Sequence, residues 1–232
     1  VSGTNGASTE TRFAPFLAAL DGLAADTPDD AEFLYDATTP QGALRRGNLL
    51  RYLGLMADVG PRALLLAEAP GYRGMTVSGI PFTSARELAA RPGLITGLAE
   101  GDGFAVPEHP VAAWESSSGI VWRALASWRG PLPLLWGVYP DHPFVRGDRL
   151  TNRAPRPAEV RAGAPVALAL AQAFGIEVVA AVGRKAQGAM AAAGVDAPAL
   201  RHPAQGGATI FTQQVHELNE RMLTAEQAGG SR

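Results

Sequence analysis

The chain contains no cysteine. Disulfides, thiolate nucleophiles and Cys-ligated zinc or iron–sulfur clusters are therefore excluded. It is almost without lysine: Lys185 is the only one, so nearly all of its positive charge is arginine. It lacks a bulk charge of either sign, with 20 Lys and Arg against 22 Asp and Glu, a net charge of −2. No global basic field draws in nucleic acid, and any such binding must rest on local clusters. No apolar run approaches the roughly 18 residues that a membrane span requires, so no membrane association is expected. The opening VSGTNGASTETR has no basic stretch followed by an apolar one, which reads against a secretion signal and makes the cytoplasm the expected location. The four histidines, His109, His142, His202 and His216, show no metal-ligand spacing. Neither a metal nor any other cofactor is expected.

What is present is globular. Hydrophobic residues make up 47 % of the 232 residues and charged ones 18 %, a balance that can bury one substantial core. No repeat or linker divides the chain. We read one domain over residues 12–225, with 1–11 and 226–232 as flexible ends, and a monomer.

Hydrophobic periodicity supplies the elements. Phe13, Leu17 and Leu20 share one helical face, and Leu49, Leu53 and Met56 repeat the pattern. Ala63 to Ala67 is a continuous apolar run, as in a strand buried on both faces. Residues 91–115 are rich in Gly, Pro and acids and read as irregular surface. Val121, Leu125 and Trp128 mark a helix that Ser116 to Ser118 can cap. Pro133 to Trp136 is a second strand. Val166, Leu170 and Phe174 mark a helix with Pro165 in its first turn. Glu177 to Val182 is a third strand and Ala199 to Arg201 a short fourth. Phe211, Val215, Leu218 and Met222 line a C-terminal helix. Strands alternating with helices predict an α/β fold: a three-layer α/β/α sandwich around a central, mainly parallel four-stranded sheet. Ligands in such folds bind beyond the carboxyl ends of the strands. Three loops leave those ends, at Glu68, Gly137 and His202, and should meet in one cleft.

The first loop runs from Ala67 to Ser84, AEAPGYRGMTVSGIPFTS. Gly71, Gly74 and Gly79 permit tight backbone paths. Phe82 offers a ring, and Thr83 or Ser84 can cap a following helix. This is either a pocket wall with backbone donors and a stacking ring, or a Gly-rich turn whose Phe82 belongs to the core. The spacing matches neither the dinucleotide fingerprint nor the P-loop.

Together with two downstream segments, this loop resembles the GEAPG…G.PF motif of the uracil-DNA glycosylase superfamily, with Ala67 in place of the first glycine. LLWGVYPDHPFVRGDRLTNRAPRPAE, from Leu134 to Glu159, is similar to WN..P.HP…NR.P…E of a bacterial, cysteine-free, glycosylase-like group. VVAAVGRKAQ…LRHPAQGGA resembles that group's VGRKA…RHPSQGG. The resemblance implies DNA as partner, with a target nucleotide flipped into a pocket, and hydrolysis of an N-glycosidic bond in base-excision repair. It implies His202 as the donor that stabilises negative charge on the departing base and Phe82 as the stacking platform. Backbone amides near Ala69 and Gly71 would bind the base carbonyls. Pro203, Ala204, Gln205, Gly206 and Gly207 would form the loop that holds the duplex open.

The basic residues Arg146, Arg149, Arg153 and Arg156, with Arg184, Lys185 and Arg201, could form a phosphate track beside the cleft; the alternative is an ordinary exposed Arg-rich loop. Asn152 and Arg153 match the motif, where they are expected to hold the loop as much as touch DNA. His142 is expected to touch phosphate or to sit in a solvated loop.

The chain departs from the pattern in the side chains that do chemistry. Gly137 stands where the group has the Asn whose amide reads the pyrimidine edge. Its loss would relax base selectivity or abolish binding. Ala69 stands where some relatives carry an Asp that positions water. Glu68 is the nearest carboxylate, either the general base or an acceptor that holds the loop. The functional expectation is a monofunctional, metal-independent DNA glycosylase acting on uracil or another deaminated base. The alternatives are a non-catalytic DNA-binding member of the superfamily and an unrelated nucleotide-binding α/β protein.

Overall fold

The structure, a computed structural model, describes residues 9–229. Four parallel strands form the central sheet in the order β3-β2-β5-β6: β2 (Ala63–Ala67), β3 (Leu134–Gly137), β5 (Val178–Val182) and β6 (Ala199–Leu200). A two-residue strand β1 (Ala31–Glu32) pairs antiparallel with β4 (His142–Pro143) beside it. All four sheet strands lie where the apolar runs placed them, β2 residue for residue and the others with ends shifted by at most one residue.

The sheet is the middle layer of an α/β/α sandwich. Helices α1 (Ala14–Gly22), α6 (Pro157–Phe174) and α7 (Arg184–Ala192) pack in series, and α5 (Ser116–Leu125) packs on α8 (Ala208–Gly229). The long α2 (Pro40–Val59) leads into β2, with α3 (Met75–Ser78) and α4 (Ala85–Ala90) following that strand. Strand β2 is central and buried along its whole length, so its five residues can all be apolar. Register pairs Ala67 with Gly137 and Val182 with Leu200. The strand ends therefore lie level, and their three loops leave on one rim.

Two helix starts differ from the sequence reading. Helix α6 begins at Pro157, so Pro165 lies in its interior rather than its first turn. The start is fixed by Glu159, whose carboxylate accepts the Arg156 backbone N–H at 2.6 Å, a contact that periodicity does not reveal. Helix α5 starts at Ser116 with Glu115 as its flanking residue, and no side chain caps it. Ser118 is instead buried: its hydroxyl donates to Glu87 (2.8 Å) and accepts the Ser84 N–H (3.0 Å). The flexible ends expected at 1–11 and 226–232 lie partly outside the described residues, at 1–8 and 230–232. Within the described part, residues 9–11 are helical and 226–229 continue α8.

Candidate active site

The three loops meet in a cavity of about 420 Å³ at the carboxyl rim of the sheet, a size typical of small-molecule sites. Glu68, Ala69, Gly71 and Phe82 enter it from the first loop, Gly137, Asn152 and Arg153 from the second, and His202 and Ala204 from the third. The convergence expected from topology alone is therefore what the fold produces.

Each wall has a local cause. Phe82 is one of two described non-glycine residues with positive φ, at 54°. That conformation costs about 1–2 kcal/mol for an L-residue, and the packing around it must supply the difference. Pro81 and Thr83 flank it, with the Thr83 hydroxyl donating to the Pro81 carbonyl (3.0 Å) and accepting from the Trp122 indole (3.1 Å). The ring is thereby held half-buried against the core and toward the cavity. The backbone N–H groups of Ala69 and Gly71 make no hydrogen bond among the described residues, so they remain free as donors.

His202 is positioned by its own loop. The Ala204 N–H donates to His202 Nδ1 at 3.1 Å. A nitrogen that accepts a proton donor carries none itself, so the neutral ring bears its hydrogen on Nε2. Burial pushes the imidazole below its ordinary value, with nearby Glu68 opposing that shift and Arg201 adding to it. A neutral Nε2–H donor at the cavity is the result. The turn behind it is tight: a Cβ on Gly207 would overlap the His202 carbonyl. Pro203 and Gly207 are buried, while Gln205, at φ 53°, and Gly206 form the exposed tip.

Two of the side chains missing by comparison with the motif are missing at one place. A Cβ built on Gly137 would lie 3.7 Å from the Ala69 Cα and 3.3 Å from the Tyr139 carbonyl. This patch of the wall thus presents backbone and a methyl group. Asn152 faces the cavity nearby. Its Oδ1 accepts the Tyr72 N–H (2.9 Å), which leaves the amide Nδ2 as a donor.

The arginines of the second loop have partners within the protein. Arg153 pairs with Asp30 (3.0 Å) and Glu159 (2.6 Å), and Arg156 pairs with the same two carboxylates. Two cations and two anions cancel, so this cluster projects no positive field. The Asp30 carboxyl is held well below the usual range, first by its hydrogen bond from Arg156 and then by Arg153. Arg153, expected to hold the loop as much as to touch DNA, holds the loop here; its side chain is only 16 % exposed. Arg146 pairs with Asp29 at the surface and Arg149 lies over the Phe144 ring. Lys185 donates to the Pro155 carbonyl (2.9 Å). His142 is neither solvated nor at the surface: it is buried, with Nε2 3.0 Å from the Thr151 carbonyl. Exposed cations near the cavity are Arg73 on the first loop, which the sequence reading passed over, and Arg184 and Arg201 beside the His202 loop.

Two other cavity residues were also missed. Trp114 and Glu115 come from the end of the irregular segment 91–115 and line the cavity. Nothing periodic marks them; the one signal was an aromatic–acid pair directly before a helix. Among the described residues no group of three or more His, Asp or Glu side chains is placed to hold a metal ion, and no helix is long and apolar enough to cross a membrane.

No known protein-family model matches the chain, and no curated protein matches it in sequence. Among solved structures, the chain is similar to wild-type Pedobacter heparinus SMUG2, a member of the uracil-DNA glycosylase superfamily, with a TM-score of 0.57 over 94 % of this chain and 99 % of that one, at 14 % identity. At that identity the likeness is one of fold: the chain has the uracil-DNA glycosylase-like α/β/α sandwich.

Proposed function

We propose that the chain is a DNA glycosylase, which takes a nucleotide flipped out of DNA into this cavity and hydrolyses its N-glycosidic bond. The observation that carries the reading is that His202, its Nδ1 occupied by the Ala204 N–H, lines one cavity with Phe82, Ala69 and Gly71. Breaking the bond sends its electron pair into the base, and charge collects on a ring carbonyl oxygen. A fixed donor at that oxygen stabilises the transition state more than the ground state. The fold shared with SMUG2 supports the same reading.

The enzyme works by water alone. The only lysine is held by the Pro155 carbonyl and does not line the cavity, so no lysine amine attacks the sugar. DNA is held by the exposed Arg73, Arg184 and Arg201, with Gln205 at the tip of the loop that parts the duplex. The test is release of free base, followed by mass spectrometry, from oligonucleotides carrying uracil, hypoxanthine or xanthine in chelating buffer. Release of at least one base is expected; binding without release of any base overturns the enzymatic reading. Phe82→Ala is expected to raise KM by about 10-fold or more, the loss of one stacking contact, with the melting temperature measured in parallel to show an intact fold.

The bare patch at Ala69 and Gly137 favours a second reading, a DNA-binding protein that has lost the chemistry. Gly137→Asn separates the two. The Cβ site is open but for the Tyr139 carbonyl at 3.3 Å, so the side chain can be accommodated with a small shift. If the catalytic frame is intact, the added amide raises kcat/KM for uracil by about 10-fold or more. No gain, with uracil-DNA binding improved, supports the non-catalytic protein.

A further inference from the structure

We propose that Glu115 is the general base of the reaction, a carboxylate brought to the cavity by a segment outside all three motif loops. The inference rests on the glycosylase reading above and names the residue that activates water within it.

The geometry is specific. Gly71 and Gly74 are bare positions on the first loop, and the Glu115 carboxylate occupies the space their side chains would need. A Cβ on Gly71 would lie 2.6 Å from Glu115 Oε1, and one on Gly74 would overlap Oε2. A side chain on this loop at either position would have to displace the carboxylate. Instead the loop is empty there, and an acid from the foot of α5 fills the gap. Glu115 lines the same cavity as His202 and Phe82, so its carboxylate and the His202 imidazole face one bound nucleotide.

Its electrostatic setting suits a base. Glu115 has no ion-pair partner among the described residues; Arg153, which also lines the cavity, is already committed to Asp30 and Glu159. Burial pushes the carboxyl up to about 7, against a hydrogen bond from Ser117 and with added repulsion from Glu87. An acid that titrates near neutrality is ionised often enough to act and basic enough to take a proton. Glu68 is placed differently. It lies beside Gly183, where a Cβ would be 3.1 Å from its Oε1, and it also borders the neighbouring cleft with Arg184 and Arg201. Glu68 thus acts on the charge state of His202.

The step balances as a hydrolysis. The bond from C1′ to the base nitrogen breaks and its electrons leave with the base, whose oxygen is held by His202. The sugar carbon becomes electron-poor. A water oxygen bonds to C1′ while one water proton passes to the Glu115 carboxylate. The departed base takes a proton from solvent. The same carboxylate also stabilises positive charge on the sugar as the bond lengthens.

The test pairs catalysis with binding. Glu115→Gln keeps the shape and removes the base. Single-turnover base release is expected to fall by about 10²-fold or more. The wild-type rate should rise with pH through an apparent pKa near 7, and this limb should be absent from the variant. Glu68, Arg73, Arg153 and His202 also line the cavity, and the Glu87 charge acts on Glu115; His202 is pushed down, so its own limb lies below that of Glu115. Binding is measured on two abasic-site duplexes, one with a neutral tetrahydrofuran and one with a cationic pyrrolidine in place of the sugar. Glu115→Gln should weaken the cationic duplex by about 10-fold, as loss of a close charge partner does, and the neutral one by less than about 2-fold. Equal effects on both duplexes, or base release within about 3-fold of wild type, overturn the assignment. A wild-type protein that binds neither duplex overturns the glycosylase reading itself and the assignment with it.

Discussion

His202→Ala is expected to lower the rate of base release by about 10²- to 10³-fold, roughly 2.7–4 kcal/mol of transition-state stabilisation. The effect should fall on kcat, measured in single turnover with enzyme in excess, and leave binding of an abasic duplex nearly unchanged. The reason is where the charge develops. Before the bond breaks, a base carbonyl is only a moderate acceptor; afterwards it carries the electron pair of the bond. A donor aimed at that oxygen contributes little to ground-state binding and much to the transition state. The Ala204 N–H, by donating to Nδ1, keeps the tautomer that points a hydrogen from Nε2. The imidazole is also pushed down by burial, so it stays neutral at pH 7. An unchanged kcat in the alanine variant would mean that the charge is stabilised elsewhere, with the amides of Ala69 and Gly71 as the remaining donors.

Glu159→Ala is expected to destabilise the fold by about 3–5 kcal/mol, the usual cost of removing one partner from a buried ion pair, read as a lower midpoint in urea unfolding. Glu159 is nearly inaccessible and accepts from Arg153 at 2.6 and 2.7 Å and from the Arg156 backbone at 2.6 Å. Burial alone would raise its carboxyl; the bonds from Arg153 and Arg156 outweigh that and lower it. Without it, two guanidinium groups face Asp30 alone and the first turn of α6 loses its acceptor. Because Asn152, Arg153, Ala154 and Pro155 line the cavity, the loss should also lower activity at temperatures where the fold survives. A shift below about 1 kcal/mol would show the cluster to be solvated and loosely held.

The sheet and the meeting of three loops were legible because they depend on local pattern. A five-residue apolar run such as Ala63–Ala67 has few alternatives to a buried strand, and parallel topology sends every following loop to the same rim. His202 and Phe82 stood out through the resemblance, and the topology brings their loops to one cavity. What escaped was set by distance along the chain. Arg153 looked like a phosphate ligand since most charged residues near it in sequence are arginines; of its two partners, Glu159 is six residues away and Asp30 is 123. His142 looked like a loop residue because two-residue strands such as β4 carry no periodicity. Glu115 stood at the end of a Gly- and Pro-rich stretch with no repeating pattern, where only folding reveals that the carboxylate lies over Gly71 and Gly74. Gly71 and Gly74 read only as positions that permit tight backbone paths, yet the space they leave is filled by a side chain from elsewhere.

Base flipping into the cavity is tested by a crystal structure with a duplex carrying a 2′-fluoro-substituted deoxyuridine, whose glycosidic bond is slow to break. The nucleotide should be turned out of the helix, its base against Phe82 and a ring carbonyl within hydrogen-bond distance of His202 Nε2. Gln205 should sit in the gap left behind. A base still stacked in the duplex, or DNA bound away from the carboxyl rim of the sheet, would contradict base flipping into this cavity.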